Sequence, residues 1–231
     1  MSEVVLVMKN IIEAFQNIQR NITNEILAVS RDPSDIKIVA VSKKFGPEKV
    51  IPLLEWGHSH FGENQIQEAE SKWEPLKKKY PAVQLDLIGP LQSNKVKRAV
   101  ALFDVIETID RIKIAERISS EIISQGKNVN CYIQINTGDE EQKSGVMPED
   151  ADAFIDKCKQ DLGLPIIGLM CIPPIKQDPT CHFNLLSSIA KKNSLKYLSM
   201  GMSQDFKFAI RAGATSVRIG TAIFGEREKP V

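Results

Sequence analysis

Eight short runs rich in β-branched and apolar residues alternate with amphipathic segments of helical length along this chain, with no long linker or low-complexity stretch. The runs are IKIVAVS (36–42), HSHFGEN (58–64), VQLDLIG (83–89), FDVIETI (103–109), NVNCYIQIN (128–136), PIIGLM (165–170), LKYLSMG (195–201) and TSVRIG (215–220). Between them, PEKVIPLLEWG, QIQEAESKWEPLKKKY, RIKIAERISSEIISQG, PEDADAFIDKCKQDLG and SQDFKFAIRAG carry apolar residues near helical spacing, several closing on glycine. Strands that alternate with helices build a parallel sheet. Open doubly wound sheets use fewer strands and reverse their winding, so eight units predict a closed (β/α)8 TIM barrel. A further helix, about Val4 to Val29, precedes the first strand. No close internal repeat accompanies the count, which carries the fold on its own.

The bulk properties agree with one barrel. A chain of 231 residues, 42% hydrophobic, can build one large core, so residues 1–231 are expected to form one domain. Thirty basic against 29 acidic residues give a formal net charge of +1 without a long single-sign block, which argues against nucleic acid as a partner. No apolar stretch reaches membrane-spanning length. The N-terminus MSEVVLVMKNIIEAFQNI also lacks a basic region followed by a small-residue cleavage site, so a cytoplasmic protein is expected.

Cys131, Cys158, Cys171 and Cys181 are widely and irregularly spaced, without a CxxC pair, and are read as structural thiols rather than a disulfide or metal framework. His58 and His60 alternate as on a strand. With no third ligand in view they read as polar strand or loop residues. Cys181 and His182 do not make a nucleophile and base, because adjacent positions face apart.

In a parallel barrel, active groups sit at the C-terminal ends of the strands, and phosphates favour the loops after strands seven and eight. Strand one here ends in Ser42-Lys43-Lys44, strand two in Gly62-Glu63-Asn64, strand seven in GMSQD and strand eight in GTAIFGER. Gly201 and Gly220 allow close backbone approach. Ser203 and Thr221 add hydroxyls, each expected to begin a helix whose amides attract an anion. Each residue alone also fits a plain helix cap, but two such cups on neighbouring strands favour a phosphate. Arg218 shares the facing of Gly220 on the strand and so points toward the same mouth, a structural salt bridge being its plainer role. Lys43 is the complementary group. Partial burial and a nearby Arg218 would lower its pKa and free the amine for a Schiff base with a carbonyl ligand. Lys37 has the same facing, so strand parity alone leaves Lys43 as an ordinary solvated lysine.

The motifs VAVSK (39–43), FGEN (61–64), IGPLQSNK (88–95), QINTGDEEQKSG (134–145), GLM (168–170), LSMGMSQDF (198–206) and VRIGTAIFGER (217–227) occur in order. In this the chain resembles the pyridoxal phosphate homeostasis proteins, the YggS/PROSC family, from about residue 5 to 228. The resemblance implies a barrel like the N-terminal domain of alanine racemase, holding pyridoxal 5′-phosphate as an aldimine on Lys43. It further implies Ser203, Gly220 and Thr221 at the phosphate, Arg218 at the pyridine nitrogen, Asn64 near the ring, and Met200 and Gly201 lining the same pocket.

Arginine donates to the ring nitrogen but offers it no proton, which leaves the ring a weaker electron sink. Alanine racemase adds a second base from a C-terminal β-domain, and no such domain is expected here. The resemblance therefore implies a monomeric carrier that buffers the cofactor, influences amino-acid and keto-acid balance and supplies apo pyridoxal phosphate enzymes, without turnover. A racemase or related pyridoxal phosphate enzyme is the second reading, with Lys44, Tyr132 and Lys143 as candidate bases. A sugar-phosphate barrel enzyme is the third. Two residues depart from the family pattern: Lys44, where threonine is common, and Asp86, where a histidine is common, which puts a proton relay on strand three in doubt.

Overall fold

A computed structural model describes residues 3–138, 140 and 144–226. Eight parallel strands close into a barrel in sequence order, β1 (Lys37–Val41), β2 (His60–Glu63), β3 (Gln84–Leu87), β4 (Val105–Ile109), β5 (Asn130–Gln134), β6 (Ile166–Met170), β7 (Tyr197–Met202) and β8 (Ser216–Ile219). The ring closes where Lys37 to Ala40 pair with Ser216 to Ile219. Each of the eight expected runs coincides with one strand, most of them shorter than the run, while β7 reaches one residue past its run to Met202.

Nine helices surround the barrel among the described residues: α1 (Glu3–Ala28), α2 (Pro47–Glu55), α3 (Ile66–Lys79), α4 (Val96–Leu102), α5 (Ile112–Gln125), α6 (Ala151–Asp156), α7 (Pro179–Lys192), α8 (Phe206–Arg211) and α9 (Thr221–Phe224). The segment 148–163, read as one helix, is a 3-10 turn, the short α6 and a π-helical turn at Lys157–Asp161. A π turn widens the helix by one residue per turn and is not encoded in apolar spacing. α7 starts on Asp178, whose carboxylate accepts the Thr180 amide at 2.9 Å, with Pro179 in the first turn. α5 ends on Gly126 at φ 59°, a left-handed cap.

The extra helix α1 buries Ile11, Phe15, Ile18, Ile22 and Ile26, a stripe that recurs every three or four residues, against α2, α8 and α9. Each such side chain taken out of water stabilises the fold by about 1.5–3 kcal/mol. The outward strand residues, among them Ala40, Phe61, Leu85, Ile106, Ile133, Leu169 and Val217, join α1 and the other helices in one continuous apolar shell. The barrel interior is different. It holds a small apolar cluster of Val105, Tyr132 and Met170 beside the polar groups Asp86, Glu107, Ser199 and Arg218.

Candidate functional site

The candidate residues gather at the C-terminal ends of four neighbouring strands, β7, β8, β1 and β2. Lys43 follows β1 by two residues and is half-buried. Its alternation partners Val39 and Val41 face the barrel interior, whereas Ser42 faces outward and donates to Glu63 Oε1 at 2.6 Å. Lys37 lies on the same face at the other end of β1, so the two lysines mark opposite mouths. Asn64 follows β2, with its Oδ1 buried and without a hydrogen-bond partner.

Past the paired ends of β7 and β8, the Ala222 amide donates to Ser203 Oγ at 3.5 Å. Thr221 opens α9, as expected. Ser203 does not open a helix. It stands in the turn ahead of α8, which Asp205 organises by accepting the Met202 amide at 2.5 Å. An aspartate placed there competes for the turn's amide and moves the helix start onward. Gly220 abuts β1: a Cβ there would lie 3.4 Å from the Val41 carbonyl oxygen, two residues short of Lys43. Gly201 serves packing. At φ +92° its Cβ would sit 2.6 Å from Ala209 Cβ, so glycine lets β7 close on α8. Met200 is fully buried in the apolar shell and brings only backbone to this end.

Arg218 rises inside the barrel below these ends, 4% exposed. Its Nη1 donates to Ser199 Oγ at 2.7 Å and its Nη2 to the Cys171 carbonyl at 2.8 Å. Glu107 Oε2 lies 3.8 Å from Nη1 and accepts the Ser199 hydroxyl at 2.7 Å. The plainer role for Arg218, a buried ion pair, is therefore present, and a planar guanidinium keeps further N–H groups for a ligand. Burial raises the Glu107 carboxyl above its ordinary range, while Arg218 and the Ser199 hydroxyl pull it back down. Sequence reasoning missed Glu107, whose signal was a lone carboxylate within VIETI, a strand otherwise buried along its whole length.

Asp86 faces the same interior and accepts Gln84 Nε2 at 3.2 Å. Burial, then the nearby Glu107 charge, lifts its carboxyl well above the ordinary 3.8. A raised folded value means that the native state holds a proton the unfolded chain releases. The stability it contributes is complete below 3.8 and is lost as pH rises toward the folded value. Asp86→Asn should therefore melt like the parent near pH 3 and increasingly higher above pH 4, a gap of several degrees if it reaches about 2 kcal/mol. Melting curves from about pH 3 to 8 test this; an offset independent of pH would contradict it.

Of the candidate bases, Tyr132 is buried among Glu107 and Asp86, and burial with those charges pushes its phenol far above the usual range. Such a phenol keeps its proton near neutrality. Lys44 is exposed and takes a left-handed backbone at φ 67°, and Lys143 lies outside the described residues. Burial pushes the thiols of Cys131, Cys158 and Cys171 up to about 12, whereas Cys181 is exposed. His58 packs against Phe15 and Phe61, donates from Nε2 to the His60 carbonyl at 2.8 Å, and is pushed down to about 4 by burial. His182 ties the loop after β5 to α7 through the Thr137 carbonyl at 2.8 Å. No described helix is long and apolar enough to cross a membrane.

Residues 15–228 match the family model of the alanine racemase N-terminal domain. A pyridoxal phosphate homeostasis protein of Pasteurella multocida is 38% identical over 224 residues, 91% of this chain and 95% of that one. One from Vibrio alginolyticus is 36% identical over 231 residues, 96% and 99% of the two chains. The solved structure of PipY from Synechococcus elongatus with pyridoxal phosphate bound is 30% identical, with TM-score 0.76 over 88% of this chain and all of that one. Alanine racemase of Clostridium difficile, 15% identical with TM-score 0.66 over 91% of this chain and 57% of that one, shares the fold. The chain is thus a barrel of the alanine racemase N-terminal class. Within that class it belongs to the pyridoxal phosphate homeostasis protein family.

Proposed function

We propose that the chain binds pyridoxal 5′-phosphate at the C-terminal mouth of its barrel, holds it covalently on Lys43 and keeps or delivers it in the cytoplasm without substrate turnover. One observation carries the reading: an amine, a hydroxyl-and-amide contact and a buried arginine converge from the ends of neighbouring strands β1, β7 and β8. The residues suit the group. Ser203, Thr221 and the Ala222 amide are donors for a phosphate, while the Asp205 carboxylate of the same turn is engaged on the Met202 amide. The buried Oδ1 of Asn64 has no protein partner, a demand that a polar ring substituent would meet. When bound, the cofactor supplies an aldehyde that an amine can hold covalently and reversibly.

The chain's own residues divide the work. Lys43 would present the amine, Ser203 with Gly220 and Thr221 would hold the phosphate, and Asn64 with the Gly201 backbone would serve the ring. Arg218 would serve the ring nitrogen as a permanent cation that donates hydrogen bonds and gives up no proton. Of the candidate bases, Tyr132 keeps its proton, which supports a reading without turnover. Racemisation needs a base on each face of the substrate, and proton transfer by a placed side chain is worth about 10²–10⁴-fold in rate.

The loaded protein incubated with L-alanine in deuterated water should give neither D-alanine nor repeated cycles of Cα–deuterium exchange. Mixed with an apo pyridoxal phosphate enzyme, it should lose its yellow colour as that enzyme gains activity. Sustained racemisation that disappears in Lys43→Ala would overturn the carrier and establish an enzyme.

A further inference from the structure

Behind Lys43, on the outer side of β1, lies a charged cluster whose Lys72 and Glu63 are buried and whose Glu68 is partly exposed. Lys72 of α3 is 4% exposed, and its Nζ donates to Glu63 Oε1 at 2.8 Å, to the Ser42 carbonyl at 2.8 Å and to Glu68 Oε1 at 3.3 Å. Glu63 Oε1 also accepts the Ser42 hydroxyl at 2.6 Å and Trp73 Nε1 at 3.0 Å. Glu68 accepts the backbone amide of Lys44. The residue before Lys43 is thus held through its hydroxyl and carbonyl, and the residue after it through its amide. One ammonium ties both holds together.

The chemistry suits that task. An ammonium carries three donors, and here three acceptors on three different segments use them. A buried ion pair adds little stability beyond what an apolar pair of the same size would give, so geometry is what this one supplies. The backbone it holds is an unfavourable one. Lys44 at φ 67° is not glycine, and such a conformation persists where the surroundings impose it. Because Ser42 faces outward, Lys43 is turned inward, and the cluster can set its direction without touching anything bound in the barrel.

We infer that Lys72 is a positioning residue that, from outside the barrel, fixes the backbone on both sides of Lys43 and so aims its amine into the mouth. The inference rests on the reading of Lys43 as the residue that holds pyridoxal phosphate. Lys72→Met should weaken pyridoxal 5′-phosphate binding on the order of tenfold, because a misaimed amine loses the advantage of being held in reach. It should leave pyridoxine 5′-phosphate, which keeps the ring and phosphate but has an alcohol for the aldehyde, within about twofold. The charge-matched pair Glu63→Gln with Lys72→Met, checked by circular dichroism, should show the same selective loss and covers the case in which the single variant does not fold. An equal loss for both probes, or none for either, would overturn the positioning role. A parent protein that binds the two probes equally and takes no borohydride label on Lys43 would instead overturn the reading of Lys43 itself.

Discussion

Lys43→Ala should leave a folded, colourless protein whose pyridoxal 5′-phosphate binding falls by about 100-fold or more, or about 2.8 kcal/mol at 1.4 kcal/mol per decade. The lysine sits two residues beyond β1 at a half-buried rim position, so its removal opens no cavity in the apolar shell. What disappears is an amine held within reach, and an intramolecular partner of that kind gains a large effective concentration over one in solution. Residual binding should come from the Ser203 and Ala222 contacts and from Arg218. Equilibrium dialysis with visible absorbance measures both parts. Unchanged colour and affinity would move the covalent hold to another residue.

The other large effect is on stability. Arg218→Met should cost about 3–5 kcal/mol, because it leaves Glu107 buried without its cation. For a chain of this size, at about 2–4 °C per kcal/mol, that lowers Tm by about 6–20 °C. Glu107 already titrates above its ordinary 4.5, and without Arg218 it rises further. Its stability contribution is then complete at low pH and is lost as pH climbs past the ordinary value. The deficit of Arg218→Met should accordingly shrink in acid. Adding Glu107→Leu should recover most of the loss near neutrality, since removing both members of a buried pair is often close to neutral. A double variant no more stable than the single one would show that Ser199 and the Cys171 carbonyl, not Glu107, need the arginine.

The strands were legible because β-branched runs recur with helical segments between them, and a ring of eight follows from that count. The stripe Ile11, Phe15, Ile18, Ile22 and Ile26 announced α1 in the same way. Boundaries inside 148–163 were not legible, since apolar spacing does not distinguish a 3-10 turn, an α turn and a π turn. The mouth residues stood out because glycine, serine, threonine and lysine at strand ends are costly choices without a role. Lys72 and Glu107 did not. A lysine in QEAESKWEPL reads as solvated until the barrel places it over Glu63, and charged side chains are seldom fully buried. Asp205 hid the start of α8 for a related reason: a turn-forming carboxylate and a helix cap look alike in sequence.

The most direct test of the account is to load the purified protein with pyridoxal 5′-phosphate, reduce it with borohydride, digest it and sequence the labelled peptide by mass spectrometry. The expected result is a pyridoxyl group on Lys43. Label chiefly on the adjacent Lys44, or protein that takes up the cofactor and carries no label after reduction, would contradict it.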